Sequence, residues 1–213
     1  MAGKRENYLH KSDFEEIRSY ILDNHELLGY RDDDLYMQLA LLVSDRSKDP
    51  SSQVGAVVVS KSGKIMAYGY NGAPKGMSDD DMPWDSIGEQ TGELDKIKNS
   101  FVVHAERNAI LNYLKTTRDF DDDLYGLKGA TLYVTWFPCN ECAKEIVQSG
   151  ISKVVYHRMY SKENINAITR KIFEYAGVEC VQYGKDISKE DQYSQRECSV
   201  KRIVYKMNSN KRK

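Results

Sequence analysis

The sequence predicts an α/β sandwich whose strands pair in parallel in the second half of the chain. Two amphipathic helical patterns come first, a valine-rich hairpin follows, and strands then alternate with helices. A length of 213 residues fits one domain with a sizeable core. We expect the core at about 32–184, an N-terminal helical extension at 1–31 and a C-terminal extension at 185–213.

Two helices are predicted ahead of the first strand. Ser12-Asp13-Phe14-Glu15 is a capping-box pattern, and apolar residues at helical spacing continue it from about 12 to 27. A second apolar pattern covers residues 32–48 and ends before Pro50, which disfavours helix in the residue ahead of it.

A β-hairpin and a long loop follow these helices. Residues 54–60 and 64–71 have extended character, and the turn residues 61–63 join them. Residues 72–101 contain several glycines and prolines, so we expect a long loop. Loops of this length are uncommon unless they have a function.

Strands and helices alternate in the rest of the chain. We expect strands at 130–137, 153–157 and 178–183, and helices at 104–116, 139–149 and 162–176. Gly150 ends the second of these helices. We interpret the acidic segment 119–123 as an exposed loop, and 200–207 as the structured part of the C-terminal extension.

Charge and hydropathy exclude some classes of partner. The chain has 31 basic and 32 acidic residues and a net charge of -1, so it offers no field for holding a polynucleotide. The N-terminus lacks the apolar segment of a signal peptide, and no apolar run approaches the ~18 residues that span a bilayer. We therefore expect a soluble, cytoplasmic protein with no membrane partner.

Two short motifs indicate a metal centre. His104-Ala105-Glu106 is followed by Pro138-Cys139-Asn140-Glu141-Cys142. One histidine and two cysteines can hold a zinc ion and leave its fourth position for water. H-x-E combined with P-C-x-x-C is the signature of the zinc-dependent base deaminases. The sequence therefore predicts zinc bound by His104, Cys139 and Cys142, with Glu106 moving protons.

The same spacing predicts hydrolytic deamination of a base. Glu106 would accept a proton from the water and pass it to N3 of a cytosine ring as the water oxygen attacks C4. It would then deliver a proton to the departing ammonia. Both motifs begin helices. The thiolates of Cys139 and Cys142 in the second motif are therefore stabilised by the positive end of the helix dipole. The backbone N–H groups near Ala105 and Cys139 are suited to contacting the developing tetrahedral centre.

Longer segments identify a family. Residues 46–56 (RSKDPSSQVGA), 69–76 (GYNGAPKG), 78–80 (SDD), 83–84 (PW), 104–110 (HAERNAI) and 137–144 (FPCNECAK) closely resemble the deoxycytidylate deaminase family. The resemblance covers roughly residues 35–184. It implies a cytidine-deaminase-like three-layer α/β/α sandwich around a five-stranded mixed sheet. It also implies conversion of dCMP to dUMP, which feeds thymidylate synthesis.

The resemblance further implies cofactors, effectors and assembly. One catalytic zinc ion per subunit is expected, in a homo-oligomer that is commonly a hexamer in this family. Members are activated by dCTP with Mg²⁺ and inhibited by dTTP. The loop residues Asp79, Asp80 and Trp84 are the candidates for nucleotide effectors.

Substrate contacts are expected by the same comparison. Asn71 matches a residue near the sugar or phosphate, and Arg46 and Lys48 are candidates for the 5′-phosphate. Tyr160 could close over the same end, and the backbone at Ala105 would face the substrate. Asn108 could bind substrate or support the loop by hydrogen bonds.

Three alternatives stay open. The enzyme could act on a free nucleoside or on another cytidine nucleotide. A tRNA adenosine deaminase-type enzyme shares the zinc motif, but a pI of about 6.4 does not favour a basic face. A zinc-stabilised scaffold without turnover would use a fourth protein ligand, and the sequence shows none nearby.

Overall fold

The computed structural model describes residues 10–28, 32–84, 91–116 and 126–184. The predictions for 119–123 and 200–207 lie outside these residues. Six helices are described: α1 Lys11–Leu28, α2 Asp32–Ser44, α3 Lys98–Phe101, α4 Ala105–Thr116, α5 Asn140–Gln148 and α6 Glu163–Ala176. Five strands are described: β1 Gly55–Val59, β2 Ile65–Tyr70, β3 Thr131–Trp136, β4 Lys153–Arg158 and β5 Glu179–Gln182.

The five strands form one mixed sheet in the order β2-β1-β3-β4-β5. β1 lies antiparallel to both β2 and β3. β3 pairs with β4, and β4 with β5, in parallel. The predicted mixed sheet with parallel pairing in its C-terminal half is confirmed.

Helices cover both faces of the sheet. Val57 and Tyr133 belong to a core cluster with α1 and α2, whereas Val58 and Leu132 belong to a cluster with α4, α5 and α6. This alternation follows from the two-residue period of strand side chains. The predicted three-layer α/β/α sandwich is therefore confirmed. Among the described helices, none has the length and apolar character that crossing a membrane requires.

α2 is shorter than the sequence predicts. It ends at Ser44, four residues before position 48, so that part of the prediction is wrong. The backbone forms a turn here, because Arg46 N donates to Val43 O, three residues earlier, at 3.0 Å. Ser47 Oγ then donates to the carbonyl of Asn71 at 2.8 Å, which ties this turn to the end of β2. A contact between distant residues ends the helix before Pro50.

The segment 72–101 contains more structure than the expected loop, since it includes α3 and two 3-10 turns at Asp79–Asp81 and Leu94–Lys96. Residues 85–90 lie outside the described part. An isolated β-bridge joins Gly72 to Val103, with hydrogen bonds of 3.1 and 2.9 Å in the two directions. The bridge places His104 beside the residues that follow β2.

A close backbone approach fixes α4 against β2. A Cβ atom at Gly69 would lie 2.3 Å from the amide nitrogen of Ala109, so only glycine fits. Asn108 Nδ2 donates to Tyr70 O at 2.8 Å, and Asn112 Nδ2 donates to Tyr68 O at 2.9 Å. The N-terminus of α4, which carries Glu106, is thereby held against the sheet.

Candidate metal centre and active site

Three metal-binding side chains meet where α4 and α5 begin. His104 Nδ1 lies 3.3 Å from Cys142 Sγ and 3.6 Å from Cys139 Sγ. The ligand atoms of all three residues lie within 4.8 Å of one another. Among the described residues, this is the one group of three or more histidine, cysteine and acidic side chains with such geometry.

Local structure explains how the three side chains meet. Cys139 is the N-cap of α5, and its sulfur accepts from the backbone N–H of Cys142 at 3.5 Å. His104 directly precedes α4. Arg107 Nε donates to both carboxylate oxygens of Glu145 at 2.8 and 3.0 Å, which links α4 to α5. The two helix N-termini are thus held together around the cluster.

The cluster fits a zinc ion. A tetrahedral ion with ordinary Zn–N and Zn–S bonds separates its nitrogen and sulfur ligands by about 3.6 Å. The two nitrogen–sulfur distances here are 3.3 and 3.6 Å. Three protein ligands leave a fourth position, which is the arrangement of catalytic zinc sites.

The two thiols are electrostatically unequal. The hydrogen bond from Cys142, followed by that from His104, lowers the pKa of Cys139 to about 3. The same bond raises the pKa of Cys142, and burial adds to the rise. Cys139 also raises the pKa of His104 by hydrogen bonding. A cation bound between them would favour the deprotonated form of both thiols, because coordinated thiols deprotonate.

Glu106 is buried beside the cluster, with 4% of its surface exposed. Burial raises the pKa of its carboxyl group, and the nearby His104 partly opposes that rise. A carboxyl with a raised pKa can both accept and donate protons near neutral pH. The predicted proton carrier thus lies in a suitable environment.

A cavity of about 450 Å³ opens over this cluster. We call it the first cavity. It is lined by His104, Glu106 and Cys139 of the centre and by three predicted substrate contacts, Asn71, Ala105 and Tyr160. Its volume lies in the range of small-ligand sites. The structure therefore brings these predicted residues together.

The other predicted contacts lie elsewhere. Arg46, Lys48 and Asn108 line a second cavity of about 440 Å³, together with Asp79. Asn71 lines both cavities. Lys48 Nζ pairs with Asp79 Oδ2 at 2.8 Å. Asn108 also makes the supporting bond to Tyr70 described above.

Asp80 and Trp84 line neither cavity. The backbone N–H of Asp80 donates to Ser78 Oγ at 3.2 Å in the turn before Met82. Trp84 Nε1 donates to the carbonyl of Asp79 at 2.8 Å. Trp84 thus supports the backbone of a residue that does line the second cavity.

Tyr160 forms part of an aromatic wall. Its ring stacks on Trp136 with centroids 4.6 Å apart and planes 20° apart. The guanidinium carbon of Arg158 lies over the Trp136 ring, 5.9 Å from the ring centroid. Stacking of this kind favours a fixed ring position at the edge of the first cavity.

Sequence reasoning missed several residues of the first cavity, namely Asp49, Ser52, Lys98, Lys162 and Asn166. In the sequence, Asp49 is distinguished only as part of the family segment 46–56. Lys98 falls in the segment predicted as a loop, and Lys162 immediately precedes α6. Neither lysine carries a local pattern that would have singled it out.

Known proteins resemble this chain over most of its length. The family model of the "Cytidine and deoxycytidylate deaminase zinc-binding region" matches residues 30–158. Deoxycytidylate deaminase of Mus musculus is 46% identical over 145 residues, which are 67% of this chain and 74% of the relative.

Solved structures that resemble this chain include proteins of the same name as these relatives. The dCMP deaminase of cyanophage S-TIM5 in apo form is 28% identical with a TM-score of 0.52, covering 71% of this chain and 96% of the other. The same phage enzyme in complex with dCMP and dUMP is 29% identical with a TM-score of 0.50, covering 70% and 93%.

Proposed function

The chain belongs to the cytidine and deoxycytidylate deaminase family, and from this premise we propose that it hydrolyses dCMP to dUMP and ammonia. One observation carries the proposal: the first cavity joins the His104–Cys139–Cys142 cluster to the buried carboxyl of Glu106. Relatives named deoxycytidylate deaminase support the choice of substrate.

Zinc, held by His104, Cys139 and Cys142, would lower the pKa of a water to about 7. Glu106 takes a proton from the water and passes it to N3 of cytosine while the oxygen bonds to C4. It then takes the remaining proton from the oxygen on C4 and delivers it to the exocyclic nitrogen. The C4–N bond breaks, ammonia leaves, and the C4 carbonyl of the uracil ring forms. The raised pKa of Glu106 suits both transfers.

Asn71 would contact the sugar. Its Nδ2 donates to Asp49 Oδ2 at 3.0 Å and to Ser52 O at 2.8 Å, and its Oδ1 accepts from Val54 N at 2.8 Å. Both amide protons are therefore used, and only an acceptor position on Oδ1 remains. A sugar hydroxyl can donate there, whereas a phosphate cannot.

Two places could bind the 5′-phosphate. Arg46 and Lys48, the predicted contacts, line the second cavity, whereas Lys162 lines the first. Arg46→Ala and Lys162→Ala separate the two, each assayed on dCMP and on deoxycytidine. A loss on dCMP alone marks the phosphate contact, and equal losses on both substrates argue against it.

If Lys162 of the first cavity is the phosphate contact, the second cavity is our proposed site for the nucleotide effectors dCTP and dTTP. Arg46, Lys48, Lys75 and Lys115 give it a basic lining that suits a triphosphate. Asp79 supplies a carboxylate of the type that binds Mg²⁺. Asp79→Asn should weaken activation by dCTP with Mg²⁺ while leaving effector-free turnover near its wild-type value.

We further propose a homo-oligomer, a hexamer by family resemblance, that acts in the cytoplasm on a small nucleotide and supplies dUMP for thymidylate synthesis. Light scattering after size exclusion, with and without dCTP, measures the subunit number.

Ammonia release and loss of cytosine absorbance test the reaction itself. Zinc-loaded protein is compared on dCMP, CMP, deoxycytidine and dCTP, with and without effectors. Glu106→Gln should lower dCMP turnover by at least about 100-fold while retaining zinc, and the exposed Glu93→Gln should not. Turnover of a different cytidine compound would overturn the assigned substrate. Absence of turnover on all four would overturn the reaction.

A further inference from the structure

A buried ion pair lies in the wall of the first cavity. Lys98 Nζ is 3.0 Å from Asp49 Oδ2, and the side chains of Lys98 and Asp49 are 10% and 1% exposed. Lys98 also donates to Ser51 Oγ at 2.7 Å. A buried charge pair costs desolvation and so is weak evidence for a purely stabilising purpose. Neither residue takes part in the proton transfers assigned to Glu106.

Asp49 links this pair to Asn71. Its Oδ1 accepts from the backbone N–H groups of Ser51 and Ser52 at 2.9 and 3.0 Å. Its Oδ2 accepts from Asn71 Nδ2 at 3.0 Å. Because an ionised carboxylate only accepts hydrogen bonds, the nitrogen of the Asn71 amide must face it.

The reversed orientation of the Asn71 amide is unfavourable on both sides. It would turn Oδ1 toward the Asp49 carboxylate and the Ser52 carbonyl, and Nδ2 toward the N–H of Val54. Acceptors would then face acceptors and a donor would face a donor. The position of the Asp49 carboxylate thus decides which atom of Asn71 remains for a ligand.

We propose that Lys98 is a positioning residue for the sugar of the substrate, acting through Asp49 to present Asn71 Oδ1 as a hydrogen-bond acceptor; this role rests on the proposed dCMP deaminase function. Lys98 holds the carboxylate of Asp49, and Asp49 holds the amide of Asn71. Without the ammonium group, the buried carboxylate loses its charge partner and relaxes toward water. The acceptor for the sugar hydroxyl then loses its fixed place.

The test compares Lys98→Met with wild type on dCMP and on 2′,3′-dideoxycytidine 5′-monophosphate, which lacks the 3′-hydroxyl. We expect kcat/KM for dCMP to fall about tenfold, as for one lost hydrogen bond, and kcat/KM for the dideoxy compound to fall less than about twofold. Lys98→Arg keeps the charge and should lose less on dCMP than Lys98→Met.

Lys96→Met is the matched control. Lys96 pairs with exposed Glu93 at 2.9 Å and lines neither cavity, so both substrates should react as with wild type. If Lys98→Met does not fold, Lys98→Arg and Ser51→Ala are read instead, each expected to lose more on dCMP than on the dideoxy compound.

Two results would overturn the role of Lys98. If kcat/KM fell equally on both substrates, Lys98 would have only a structural role. If kcat/KM for dCMP did not fall, Lys98 would have no role in the reaction. Either leaves the proposed function intact, because wild type still converts dCMP. Wild-type protein inactive on both compounds would overturn the proposed function and the role of Lys98 together.

Discussion

His104 Nδ1 and Cys142 Sγ lie 3.3 Å apart, although 38 residues separate them in the chain. The β-bridge between Gly72 and Val103 places the histidine, and the first turn of α5 places the thiol. Two local motifs thus become one metal-binding group only when the N-termini of α4 and α5 meet.

Zinc binding should depend on the cysteines of this cluster and not on a cysteine elsewhere in the chain. Cys142→Ser and His104→Ala should each lower bound zinc from about one ion per subunit to a small fraction of that. Cys180→Ser, on β5, should retain zinc, because Cys180 lies outside the cluster. Elemental analysis of purified protein measures the ratio. Full zinc occupancy in Cys142→Ser would contradict the assignment.

Stability of the zinc-free protein should depend on pH through Glu106. Burial raises the pKa of Glu106 above its ordinary value of 4.5. The folded state therefore binds more protons than the unfolded state from pH 4.5 upward to the raised pKa, and the free energy of unfolding falls as pH rises through this window.

Glu106→Gln removes that pH-dependent cost. The variant should gain stability over wild type as pH rises above 4.5, and the gain should be larger at pH 8 than at pH 5. Urea unfolding of chelator-treated protein measures both. Glu141→Gln controls for loss of a surface carboxylate. A gain that shrinks with rising pH would refute the expected sign.

Gly55 should not tolerate a side chain. A Cβ atom there would lie 2.1 Å from the Ala40 carbonyl and 2.5 Å from the Ser44 amide nitrogen. Gly55→Ala should therefore cost about 3 kcal/mol or more, because β1 must move away from α2. Gly72→Ala is the control, since beyond its own residue and its two chain neighbours no atom lies within 4 Å of its Cβ position. Similar urea midpoints for the two variants would contradict this close approach.

α1 should belong to the cooperative fold although it lies outside the family-matched residues 30–158. Phe14 is 2% exposed, and its ring lies 5.3 Å from that of Tyr68 on β2. Phe14→Ala should cost about 3–5 kcal/mol. Tyr175→Ala, at an 86% exposed position, should change stability by less than about 0.5 kcal/mol. Urea denaturation distinguishes them, and equal small effects would mean that α1 docks only loosely.

Local patterns were enough for the elements and for the metal-binding residues. Apolar spacing predicted all five strands and the long helices, and Gly150 and Gly177 follow α5 and α6 with φ of 83° and 69°. The alternation of strands and helices predicted the parallel half of the sheet. The zinc motif was readable because its spacing lies within the first turns of two helices.

Tertiary structure decided what distant residues do together. α2 ends early because Ser47 bonds to Asn71, and Lys98 pairs with Asp49 across 49 positions. Arg46 and Lys162 are both basic residues at helix ends, yet they line different cavities. The sequence by itself determined the layers of helices and sheet, the parallel pairing of strands in the C-terminal half, and the chemistry of the site. Which polar groups meet inside the cavities followed only from packing, because burial and long-range contacts, not local periodicity, select a buried hydrogen-bond partner.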